Sequence, residues 1–124
     1  MTTWITICDT CKREGWDAAA AQKTDGEVLA ERIEPLAAAL GVATRRVSCL
    51  MGCAHGCNVA IQAAGKLCYT LGRFEGTEED AAAIADYAAL HQDSASGQVP
   101  FRQWPQGVKG HFVTRHPPLP DAAE

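Results

Sequence analysis

The sequence is short of aromatics, of long apolar runs and of positive charge. Phe, Trp and Tyr make up 6% of its 124 residues, so its core must be largely aliphatic. No stretch approaches the roughly 18 apolar residues of a membrane span. A net charge of -4 offers no basic surplus for nucleic acid or anionic lipid. The opening MTTWITICDT has no basic start leading into an apolar run, so the expectation is a cytoplasmic protein with no signal peptide. Catalytic signatures are missing as well: there is no Ser elbow, P-loop, HExxH or Gly-x-Gly pattern. The expectation from these absences is a protein that is not a catalyst.

What the chain does have is cysteine, six in all. Three of them, Cys49, Cys53 and Cys57, stand at four-residue intervals in CLMGCAHGC, and Cys8 and Cys11 form a C-x-x-C. A chain of this size can bury a core without staples. In a reducing compartment such clusters bind metal or do redox work more often than they form structural disulfides.

The periodicities indicate one α/β domain of order β-α-β-β-β-α. TWITIC (3–8) alternates as a strand, and GEVLAERIEPLAAALG (26–41) places Leu29, Ile33, Leu36 and Leu40 on one helical face. Asp25 is the expected N-cap, and Pro35 should kink or divide the helix. TRRVSC (44–49), NVAIQA (58–63) and KLCYTLG (66–72) read as three more strands, the last two joined by a tight turn at Ala64 and Gly65. TEEDAAAIADYAALHQD (77–93) is a second helix, opened by Thr77 and Asp80, with Ile84, Tyr87, Ala88 and His91 on its inner stripe. After residue 92 come five of the six prolines and no periodicity. This predicts a cluster-binding domain over 1–92 with a four-stranded mixed sheet. An irregular C-terminal extension over 93–124 is expected to be pinned by Phe101, Trp104 and Phe112.

If the first two strands are parallel neighbours, their carboxyl ends lie side by side. Cys8, Cys11, Cys49 and Cys53 then converge at the edge where α/β folds place their ligands. Four thiolates suit zinc or an iron–sulfur cluster. The second pair has C-x-x-x-C spacing, whereas zinc ribbons use C-x-x-C twice, which leans toward a cluster. Gly52 lets backbone N–H groups approach sulfur. A C-x-x-C after a strand also matches a thioredoxin-type dithiol, although such an enzyme has no need of Cys49, Cys53 and Cys57.

The element order and cysteine placement resemble the thioredoxin-like [2Fe-2S] ferredoxins. More closely, ITICDTC, CLMGCAHGCNVAIQAAGK, YTLG and RHPPLP resemble the DUF1636 family of predicted metal-binding proteins. The resemblance implies a thioredoxin-like fold and ligation by Cys8, Cys11, Cys49 and Cys53, with Cys57 competing with Cys11 for one place. It implies a [2Fe-2S] cluster serving a redox partner protein, with a homodimer open. The alternative it carries is zinc or cobalt handling beside a CobW-type GTPase, linked to cobalamin metabolism. Cys68 reads as core packing. His55 reads as a loop residue or a Rieske-like ligand, and Lys12 and Arg13 as solvated charges or a docking patch for an acidic partner.

Overall fold

The computed structural model describes residues 2–12, 16, 17, 19, 22–48, 50 and 56–119. The elements are β1 (Trp4–Cys8), α1 (Asp25–Ala39), β2 (Ala43–Val47), β3 (Val59–Gln62), β4 (Cys68–Leu71), α2 (Glu78–Asp93) and β5 (Phe112–His116). They form one five-stranded mixed sheet of order β2-β1-β3-β4-β5. β1 and β2 are parallel, and the remaining neighbours are antiparallel. The α/β architecture and the thioredoxin-like order of the first six elements are as the sequence predicts. Among the described residues no helix is long and apolar enough to cross a membrane.

The fifth strand corrects the expectation of four strands and an irregular tail. After α2 the chain makes two short 3-10 turns, Phe101–Gln103 and Gln106–Val108, and then pairs β5 with β4. Val108 is fully buried, and Trp104 and Phe112 pack against Tyr87 with ring centroids at 6.2 and 5.3 Å. Phe101, one of the expected pins, is 62% exposed and instead lies tilted against Trp104, ring centroids 4.9 Å apart. An edge strand needs no continuous apolar face, so β5 leaves four of its five residues exposed and escapes a pattern search.

Both helices cover the sheet face that carries Ile5, Ile7, Val59, Ile61, Tyr69 and Leu71. In α1 the buried stripe is Leu29, Ala30, Ile33 and Ala37, while Leu40, placed on that stripe by the sequence, is 43% exposed as the C-cap. The N-cap is Thr24 rather than Asp25: its hydroxyl accepts from Glu27 N–H, and the Glu27 carboxylate reaches back to Thr24 N–H. α1 runs through Pro35 unbroken. α2 starts at Thr77, whose side chain accepts from Asp80 N–H, and buries Ile84, Tyr87, Ala88 and His91 as expected. The β3–β4 turn closes through Lys66 N–H to Ala63 C=O, with Gly65 at φ 74°, a conformation that glycine adopts without strain.

Candidate functional site

The parallel pairing of β1 with β2 sets Cys8 opposite Val47, so the two strands end together. Asp9 N–H then extends the ladder to Val47 C=O at 3.0 Å. From Cys8 the chain turns through Asp9 and Thr10 to Cys11. Both cysteines are buried, at 3% and 4% exposure.

This turn is held against the N-terminus of α1. Gly26 N–H donates to Cys11 C=O at 2.9 Å, and the Thr24 hydroxyl donates to Asp9 C=O. Gly26 is required by contact: a Cβ there would lie 2.1 Å from the Cys8 carbonyl oxygen. On the other side the Thr10 hydroxyl donates to Ser48 C=O, just past the end of β2.

The thiols sit in different electrostatic settings. Burial disfavours the Cys8 thiolate, but contacts with the Cys11 thiol, the Leu50 backbone and Thr10 outweigh burial and hold its pKa below the usual thiol value. Cys11 is pushed up to about 12, first by burial, then by its contact with Cys8, with the charge of Cys57 adding to the effect. Its Sγ donates to Asn58 Oδ1 at 2.9 Å. Asn58 is 1% exposed, and its own carbonyl accepts from Cys8 N–H at 3.3 Å.

Cys57 is fully buried beside this pair. Its N–H and C=O exchange hydrogen bonds with Phe74 at 3.4 Å each, continuing the β3–β4 ladder toward the cysteine edge. The structure therefore brings Cys8, Cys11 and Cys57 to one neighbourhood. Cys49, Cys53, His55 and Arg13 lie outside the described residues. Among the described residues no three His, Cys, Asp or Glu side chains are arranged to hold a metal ion, so the described ligand candidates amount to the Cys8–Cys11 pair with Cys57 nearby.

Other candidates fall elsewhere. Cys68 lies in β4, half-buried, with its pKa raised by burial. His111 stacks on Phe74 at 4.3 Å and its Nδ1 donates to Gly72 C=O. Lys12 lies over the Trp16 ring at 4.6 Å. Arg45 and Arg46 point to opposite faces of the sheet, as their alternation requires: Arg46 pairs with Glu34 of α1, and Arg45 bonds Thr6 and Gln62. Sequence reasoning missed Asn58, Thr10, Thr24 and Gly26. The signal for Asn58 was a lone amide between Cys57 and an apolar strand, where a polar group must find a buried partner.

A family model described as "Protein of unknown function (DUF1636)" matches residues 5–118. Comparison with curated proteins and with solved structures finds no match.

Proposed function

Because the chain belongs to the DUF1636 family, whose description names no activity, we propose from the site itself that it is a [2Fe-2S] protein that passes single electrons to a partner. Cys8 and Cys11, with Cys49 and Cys53, hold the cluster. The observation that carries this reading is the bracketing of Cys49. Ser48 C=O accepts from Thr10, and the Leu50 backbone bonds the Cys8 sulfur, so both sequence neighbours of Cys49 are tied to the Cys8–Cys11 turn.

The donor chemistry fits such a group. Buried thiols crowded together resist ionising, and Cys11 is pushed to about 12 for that reason. A bound cation removes that cost, because it favours the thiolates it binds. When bound, the cluster supplies one-electron chemistry. The protein's own part is to fix the sulfurs, bury them and direct hydrogen bonds at them: Thr10 and the Leu50 backbone toward Cys8, the Asn58 backbone toward Cys11. Cys57 is the alternative ligand in place of Cys11, since it is buried next to it.

The test is a visible absorption spectrum of anaerobically purified protein with iron, sulfide and zinc counted on the same sample. Sulfur-to-iron charge-transfer colour with two irons and two sulfides per chain supports the reading. One zinc or cobalt and no sulfide replaces it with a metal-handling role, such as delivery beside a CobW-type GTPase.

One observation favours a second reading. A thiol of lowered pKa three residues before one of raised pKa, next to a helix N-terminus, is the arrangement of a nucleophilic and a resolving cysteine. A thioredoxin-like disulfide reductase of this kind would keep its activity in Cys49→Ser and Cys53→Ser and lose it in Cys8→Ser. The cluster reading predicts no such activity in any of the three.

A further inference from the structure

We propose that the sheet face turned away from the helices carries a second site, which binds a small organic anion with a flat apolar body. A cavity of about 710 Å³ opens there, lined by Trp4, Arg45, Gln62, Cys68, His116 and Leu119 among others. The register places these side chains on one face. Trp4 pairs with Gln62, Thr6 with Arg45, and Cys68 with His116. The volume suits a small-molecule site.

The charge of the cavity selects the ligand. Among the described residues no Asp or Glu lines it, although the chain carries a net charge of -4. Lys66 also lines it, but its ammonium is spent on the carbonyls of His91 and Gln92 at 3.1 and 2.6 Å. Arg45 is different. Its Nε donates to Thr6 Oγ1 at 2.7 Å and its Nη2 to Gln62 Oε1 at 3.2 Å, while the Thr6 hydroxyl donates to the same Gln62 oxygen at 3.3 Å. This triangle of neutral partners orients the guanidinium without neutralising it. A guanidinium has five N–H donors, so three remain for a carboxylate or a similar anion.

The apolar part of the ligand has its own surfaces. Trp4 is 43% exposed at the cavity, and an indole face takes a flat ring at little entropic cost. Ala63, Ala64, Pro117 and Pro118 complete rigid, non-polar walls. The site does not depend on what Cys8 and Cys11 hold. Trp4 and Cys8 stand at opposite ends of β1, about 13 Å apart at the rise of an extended strand.

The probes are naphthoate, and naphthamide as its neutral isostere, titrated into the full anaerobically prepared chain and followed by amide NMR. The expected result is saturable binding of naphthoate with about tenfold preference over naphthamide at low salt. The shifts should fall on the Trp4 indole N–H and the backbone of residues 63–65. Arg45→Gln should abolish the preference while naphthamide binding stays unchanged, which also shows that the variant is folded. Trp4→Leu should weaken both probes, and Arg46→Gln, on the other face, should change neither. Equal binding of the two probes, an unchanged preference in Arg45→Gln, or shifts centred on Phe101 and Trp104 would overturn the proposal.

Discussion

Two clusters of titratable groups are buried at opposite ends of β1, and they are built differently. At the amino end, His91 is fully buried and every polar atom on it has a partner. Its Nε2 donates to Leu67 C=O at 2.7 Å, so its Nδ1 accepts from the Thr3 hydroxyl at 2.8 Å. Lys66 caps the last carbonyls of α2, and Gln92 accepts from Thr3 N–H. At the carboxyl end, Cys8, Cys11 and Cys57 are buried just as deeply, yet burial, Cys8 and Cys57 all oppose the ionisation of Cys11. The first cluster is complete as protein and acts as a brace. The second gains most from a cation that the polypeptide does not supply, which is the physical basis for reading it as a cofactor site.

The largest contrast should appear in cofactor content. Cys8→Ser is expected to abolish iron and colour, whereas His91→Ala should leave both per folded chain unchanged; metal analysis of the two variants checks this. If the His91 corner is purely a brace, its loss shows in stability. His91→Ala strands the Thr3 hydroxyl and Leu67 carbonyl and opens a cavity, at a cost of about 3 kcal/mol in urea unfolding.

Gly26 probes the cysteine end through its packing. Gly26→Ala drives a methyl into the Cys8 carbonyl, backbone against backbone, and should cost about 2 kcal/mol. It should also lower cluster occupancy, which a stability defect elsewhere would not do.

The brace also predicts a pH dependence. Burial holds the His91 pKa below its ordinary 6.5, against the opposing hydrogen bond to Leu67 and with help from the charge of Lys66. The groups facing it are Thr3, just before β1, Lys66 and Leu67 from the β3–β4 turn, and the edge-on Tyr69 ring at 6.0 Å. Unfolding therefore takes up a proton. The His91 contribution is fully present above its unfolded pKa of 6.5 and is lost as the pH falls through the lower folded value. Denaturant midpoints measured across that range should show the fall in the wild type and a smaller one in His91→Ala.

The smallest effect belongs to the surface. Glu34, held below the usual carboxylate range by Arg46, sits in a half-exposed ion pair at 2.7 Å. Glu34→Gln should cost about 0.5 kcal/mol or less, and less still in high salt.

The parts legible in the sequence were those set by periodicity. Ile5 and Ile7, Leu29 and Ile33, and Ile84 with Tyr87 and Ala88 each mark a buried face, so β1, α1 and α2 were found within a residue or two. The side-by-side carboxyl ends of β1 and β2, where Cys8 faces Val47, followed from the element order alone. β5 was not legible because it closes an edge with Phe112 as its inward contact and prolines before and after it. Asn58 and Gly26 were not, because their roles depend on contacts across 47 residues of chain in one case and on the approach of α1 to the Cys8 turn in the other. The cavity draws its walls from all five strands and the residues after β5, a juxtaposition no linear pattern records.

The most direct test of the cysteine site is a coulometric reduction of the anaerobically purified protein, with the electrons counted per chain and the spin state read by electron paramagnetic resonance. The account predicts one electron per chain, bleaching of the visible colour and a spin-one-half signal that is lost in Cys8→Ser. Uptake of two electrons per chain by a colourless protein with no such signal would contradict it and leave Cys8 and Cys11 as a dithiol.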